Sequence, residues 1–179
     1  MSTIKKEPKS HFIKLLGKED FNVFKPVGLS FLEAEFFRME AHNHDGPYNF
    51  SLVVYDVEEY NQDEYCEGQL EGNAIACDGD HFSENGSGEL RIILKPENVH
   101  WLRFFVSPFR FQAISHFEFY EPSGNLLKRI EGRSGWVDYK VPLQDMKTAR
   151  IARVSIYFKI DFRAVVVDSF ELGQWEQYP

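Results

Sequence analysis

The sequence is poor in cysteine, holding only Cys66 and Cys77 in 179 residues. Two cysteines cannot build a four-thiolate zinc site, and neither lies in a Cys-x-x-Cys redox pair. In an oxidising compartment they would close a small loop, and in the cytosol they would stay thiols. Positive charge is also scarce: 20 Lys plus Arg stand against 28 Asp plus Glu, a formal charge of −8. A protein that grips nucleic acid or an anionic membrane by neutralising phosphates needs a basic face, so neither partner is expected. Arg150, Arg153, Lys159 and Arg163 are a local concentration of cations, read as a solvated strand face. No apolar run approaches the roughly 18–20 residues of a membrane helix. The opening Met-Ser-Thr-Ile-Lys-Lys-Glu-Pro-Lys lacks the apolar stretch and cleavage site of a secretory signal. The expectation is a cytoplasmic protein if Met1 is native and a secreted one if a signal was removed. No Gly-x-Ser-x-Gly elbow is present, and no enzyme is expected.

What the chain has is aromatic weight: 17 Phe, 8 Tyr and 3 Trp. Rings suit pleated, half-buried surfaces, so this composition favours strands around a bulky core. The strand pattern runs through Leu29–Met39, Tyr48–Tyr55, Glu89–Leu94, His100–Val106, Ala113–Tyr120, Leu126–Ile130, Trp136–Val141, Ile151–Ile160 and Ala164–Leu172. Glu-Asn-Gly-Ser-Gly, Glu-Pro-Ser-Gly-Asn and Gly-Arg-Ser-Gly are among the turns between them. Many short strands without a long helix indicate an all-β sandwich or jelly roll. Val154, Ile156, Phe158 and Ile160 alternate with Arg153, Ser155, Tyr157, Lys159 and Asp161; Ser115, Phe117 and Phe119 alternate with His116, Glu118 and Tyr120. Such half-polar strands belong to sheets with one wet face. Residues 1–20 read as an N-terminal extension, with Ser10 capping a short helix over His11–Leu16 that stops at Gly17. Residues 21–179 read as one domain, carrying an acidic, loop-rich insertion at 56–88.

Three carboxylates interrupt the apolar pattern. Glu33 and Glu35 share the alternation of Phe31, Phe37 and Met39, and Asp168 shares that of Val166, Phe170 and Leu172. A bare carboxylate on an apolar face costs several kcal/mol unless paired, protonated or bound to a cation. Should the first and last strands meet, the three would converge as hard oxygen donors suited to Ca²⁺.

Glu-Ala-Glu on an opening strand and Asp on the closing one resemble the carbohydrate-binding modules of the galactose-binding-like jelly-roll superfamily. The order of events from His116 to Leu172 resembles them too: a strand, a Pro-Ser-Gly hairpin, Gly-Arg-Ser-Gly-Trp136, a strand running into Val-Pro-Leu143, then two closing strands. The resemblance implies a galactose-binding-like β-sandwich jelly roll that binds carbohydrate without catalysis. It implies that Glu33, Glu35 and Asp168 hold a structural Ca²⁺. It implies that Trp136 is the platform of the sugar site, with Tyr139, Tyr65 and Arg163 as companions. Val166 stands where the family often carries Asn, and Phe82 is a further aromatic candidate. An intracellular protein–protein assembly module on the same fold is the alternative.

Other fragments read as structure. His42-Asn-His44-Asp45 precedes Gly-Pro and is a turn. Asp78-Gly-Asp80 lacks the glycine of a helical-hand calcium loop, with Phe82 and Ser83 at key positions. Acids such as Glu118 and Glu121 are too abundant to mark a hydrolase, and Trp101, Arg103 and Phe105 read as packing on a second sheet.

Overall fold

The computed structural model describes residues 10–24, 27–29, 31–44, 50–57, 72–79, 86–108, 114–160 and 165–178. Thirteen strands lie among them: β1 (His11–Glu19), β2 (Val27–Leu29), β3 (Phe31–Glu33), β4 (Phe37–Asn43), β5 (Phe50–Asp56), β6 (Asn73–Gly79), β7 (Gly86–Leu94), β8 (Trp101–Pro108), β9 (Ile114–Tyr120), β10 (Leu126–Glu131), β11 (Gly135–Lys140), β12 (Arg153–Ile160) and β13 (Val165–Gln177). A single 3-10 turn covers Leu143–Asp145. The strands form two antiparallel sheets, so the all-β sandwich expected from the alternation is the fold. The seven-stranded sheet runs β11-β8-β13-β6-β5-β2, with β1 also on β13; the six-stranded sheet runs β10-β9-β12-β7-β4-β3.

Phenylalanine fills the space between the sheets. Phe170 stacks on Phe104 at 5.1 Å and meets Phe37 at 4.9 Å, with the Phe21 ring edge-on at 5.9 Å. All four are fully buried, as are Phe117, Phe119, Val154 and Ile156. A smaller apolar layer lies on the far side of the seven-stranded sheet, where Val57, Ala74, Ala76, Phe105 and Val166 are buried with Trp136 against them.

Three local expectations are corrected. His11–Glu19 is strand, not helix: β1 pairs antiparallel with β13, from His11 opposite Gln177 to Glu19 opposite Phe170. Gly17 marks a register shift in that pairing, and the Phe36 ring occupies the space a side chain there would need. A free sheet edge on β13 offers more hydrogen bonds than an isolated six-residue helix, which is unstable in water. Residues 11–19 therefore form an edge of the seven-stranded sheet. The stretch Leu29–Met39 is not one strand, because Glu35 and Phe36 form a tight turn closed by the Ala34 N–H donating to the Phe37 carbonyl at 2.9 Å. The segment 56–88 contains β6 and the start of β7, so it is not wholly insertion.

Candidate functional site

The turn at Glu35 and Phe36 moves two of the predicted ligands. Across the tight turn Leu32 sits opposite Met39, both buried, and Glu33 opposite Arg38. Alternation restarts after the turn, so Glu33 points away from the core that holds Phe37 and Met39. Its Oε1 lies 2.8 Å from Lys95 Nζ, and the Glu33 side chain is 49% exposed. Glu35 is exposed within the turn, near enough to Glu19 to help raise that carboxyl, which burial raises first and the Phe21 N–H opposes. Asp168 is buried, but not among Phe170 and Leu172. Pairing of β13 with β8 shifts register between Asp168 and Glu171, and Ser169 sits at a φ of 55°. This bulge, held by the Ser169 N–H donating to Asp168 Oδ1 at 2.6 Å, adds one residue to the pleat. Val165 and Val167 face the main core before it and Phe170 and Leu172 after it; Val166 and Asp168 face the other side. Glu33 and Asp168 thus lie on outward faces of different sheets, with Glu35 in the turn after Glu33, and the three do not fit one calcium ion. Among the described residues no group of three His, Cys, Asp or Glu side chains is placed to hold a metal.

Trp136 and Tyr139 are three residues apart on β11 and so point to opposite faces. Trp136 lies on the outer side of the seven-stranded sheet, edge-on to Phe105 at 5.6 Å, with the Arg103 guanidinium 4.0 Å above its ring. One indole face is therefore already covered. Tyr139 turns inward against Phe119 at 4.7 Å, and burial raises its hydroxyl pKa. Tyr65, Phe82 and Arg163 lie outside the described residues.

The structure gathers a different set on the outward face of the six-stranded sheet. There β9, β12, β7 and β4 run side by side, and antiparallel register aligns their polar positions in rows. Glu131, His116, Tyr157, Glu89 and His42 form one row; Arg129, Glu118, Ser155, Arg91 and Glu40 form the next. Glu89 is only 1% exposed although it faces away from the core. It accepts from Arg91 Nε at 3.1 Å, Arg91 Nη2 at 2.9 Å and His44 Nε2 at 3.1 Å. Burial alone would raise this carboxyl, but the bonds from Arg91 and the nearness of the Ser155 hydroxyl, with the charges of Arg91 and His44, hold it below the usual carboxylate range. Ser155 is fully buried, its hydroxyl close to Glu89 without the geometry of a full hydrogen bond.

Above this pair stands a row of rings. His116 stacks on Tyr157 at 4.5 Å and 18°, and His44 lies on the opposite flank at 6.0 Å and 29°. The His44 side chain is 43% exposed. Beside them Glu118 accepts from the Tyr120 hydroxyl and lies 3.5 Å from His116 Nε2 and 3.8 Å from Arg129 Nη1. The Tyr120 and Tyr157 oxygens are 3.5 Å apart, and Arg153 lies 4.1 Å over the Tyr120 ring. Burial first, then the bonds to Glu118 and Tyr157, push the Tyr120 hydroxyl well above the tyrosine range, so it stays a donor. Burial, reinforced by Arg129 and opposed by Glu118 and Glu131, lowers the His116 imidazole. The result is a fixed surface of planar donors, acceptors and ring edges. The outward phase of His116, Glu118, Tyr120, Arg153, Ser155 and Tyr157 was visible in the alternation. What alternation lacked was which strands become neighbours, and so the partners Glu89 and His44.

No protein-family model matches the sequence, and no curated protein matches it. Four solved chains match in structure. One is the enzymatically active domain of tailspike protein 4 from bacteriophage CBA120, at 9% identity and a TM-score of 0.40, covering 80% of this chain and 20% of that one. Another is the family 11 carbohydrate-binding module of a cellulosomal cellulase of Clostridium thermocellum, at 13% identity and a TM-score of 0.43, covering 90% of this chain and 94% of that one. A third is a Stig cyclase from Fischerella sp. TAU, at 11% identity and a TM-score of 0.40, covering 94% of this chain and 90% of that one. Identities and scores this low say nothing of a ligand.

Proposed function

We propose that this chain is a non-catalytic carbohydrate-binding domain of the galactose-binding-like kind, taking its glycan on the outward face of the six-stranded sheet. The observation that carries the reading is Glu89: a carboxylate 1% exposed on a face that is not the core, fixed by Nε and Nη2 of Arg91 and by His44 beside the ring row. Burying such a pair adds little to stability compared with apolar packing. Its value is a rigid array of planar polar groups, which suits adjacent hydroxyls on a sugar, while the exposed flank of His44 offers a surface for the sugar's C–H face. Sugar recognition draws on that combination of ring surface and fixed donors more than on area.

Glycan-array screening followed by affinity electrophoresis tests this. Retention by at least one glycan is expected, weakened about tenfold or more by Tyr157→Ala and by His116→Ala, since a good polar or stacking contact contributes ~1.4 kcal/mol or more. If Trp136→Ala removes retention and Tyr157→Ala keeps it, the site lies on the seven-stranded sheet, as the sequence resemblance implied, and the placement here is wrong. Binding to no glycan together with a stable co-purifying protein would replace this reading with the assembly module. Turnover of a bound glycan would replace it with an enzyme.

A further inference from the structure

Cations on and just beyond the strands of the six-stranded sheet mostly face carboxylates: Arg38 lies 2.7 Å from Glu40, Arg91 2.9 Å from Glu89, Arg129 3.8 Å from Glu118 and Lys95 2.8 Å from Glu33. At one end of the sandwich this stops. Lys147, Arg150 and Arg153 have no carboxylate oxygen within 4.0 Å among the described residues, in a chain whose acids outnumber its bases by 28 to 20. Arg153 stacks on Tyr120, and its Nε is buried without a hydrogen-bond partner. Lys147 and Arg150 line a hollow of about 420 Å³, together with Asn98, His100, Glu121 and Ser123. That volume falls in the range of small-molecule sites.

The hollow adjoins the proposed glycan face. Glu121 directly follows Tyr120, and the Ala152 N–H donates to the Tyr120 carbonyl at 2.8 Å, so the hollow opens where the row of Tyr120 and Arg153 ends. Its His100 and Glu121 side chains are engaged. His100 Nε2 donates to the Met146 carbonyl at 2.9 Å and His100 Nδ1 accepts from the Trp175 N–H at 3.3 Å. Glu121 Oε2 accepts from Ser123 Oγ at 3.2 Å and Asn125 Nδ2 at 3.3 Å. Two cations without a carboxylate partner among the described residues, beside the bonded His100 and Glu121 side chains, make the hollow electrostatically suited to an oxyanion.

We propose that this hollow binds the acid group of an anionic sugar, so that the glycan held by the adjoining face carries carboxylate or sulfate groups. The inference rests on the carbohydrate reading of that face. Lys147 and Arg150 make charge-assisted bonds to the oxyanion, and Glu121 accepts from a neighbouring hydroxyl.

Isothermal titration of the full chain with three tetrasaccharides tests it: one of uronic acids, one sulfated but otherwise neutral, and one uncharged. One acidic probe is expected to bind about tenfold tighter than the uncharged one, a preference that shrinks as salt screens the exposed cations. In the Lys147→Ala/Arg150→Ala double variant the ratio of acidic to uncharged affinity should fall to about one, and Lys147→Arg with Arg150→Lys should keep it. Both positions are exposed, and matched thermal midpoints confirm that the variants fold. Equal binding of all three probes, or a preference that survives the double variant, overturns the hollow while leaving the glycan face standing. No binding of any probe overturns the hollow, and the glycan face falls with it when the array also retains no glycan.

Discussion

A single imidazole shows how finely the interior is set. His100 is 8% exposed, with one nitrogen donating to Met146 and the other accepting from Trp175. Burial lowers its pKa first, the Met146 carbonyl opposes this, and Arg150 adds to it. Only the neutral ring can accept at Nδ1. In the unfolded chain the group titrates near the ordinary 6.5, so on acidification the unfolded state takes up a proton before the folded state does. Stability from this site is complete above that value and is lost as pH falls through the folded one. His116 shifts in the same direction. Glu19, whose folded carboxyl is raised, acts oppositely and only toward the carboxylate range. The thermal midpoint is therefore expected to drop between pH 7.5 and 5.5, and to drop less steeply in His100→Gln. An equal slope in that variant would refute the assignment.

At the level of elements, the glycan face depends on how closely β9 and β10 approach. Gly132 closes their pairing: its N–H donates to the Ser115 carbonyl at 3.0 Å, and a Cβ there would overlap the Ile114 carbonyl oxygen. Backbone cannot yield as a side-chain tip does. Gly132→Ala should cost on the order of 2–3 kcal/mol, and a domain of this size loses roughly 2–4 °C per kcal/mol. Because β9 carries His116, Glu118 and Tyr120, the same variant should also weaken glycan binding. Calorimetry and affinity electrophoresis on one preparation would check both, and a midpoint within a degree of wild type would contradict the close approach.

At the scale of the whole molecule, two strands far apart in sequence close one flank of the seven-stranded sheet. β1 runs along β13 from Glu19 opposite Phe170 to His11 opposite Gln177, while the first half of β13 pairs with β6. Removing residues 1–19 would strip from that flank of β13 the partner it has among the described residues and leave a long, open edge. The expected outcome is a midpoint lower by roughly 10 °C or more, with concentration-dependent aggregation in light scattering. A truncated chain that melts as wild type and stays monomeric would show that β1 is dispensable.

The sequence by itself determined the class of structure. Phenylalanine weight and two-residue alternation specified strands packed through a ring-filled core, and in β9 and β12 they also specified which side chains face outward. Both properties are local, since a strand's pleat assigns faces whatever its neighbours are. The tertiary structure alone decided the rest. Neighbouring strands are chosen by long-range packing, so His44, Glu89, His116 and Tyr157 meet although they are spread over more than a hundred positions of the chain. Phase errors also arise between local segments: the turn at Glu35 and Phe36 and the bulge at Ser169 each reset the alternation. Those two resets sent Glu33 and Asp168 to opposite outer faces. The strand β1 likewise exists because β13 offers it an edge, which no window of its own sequence contains.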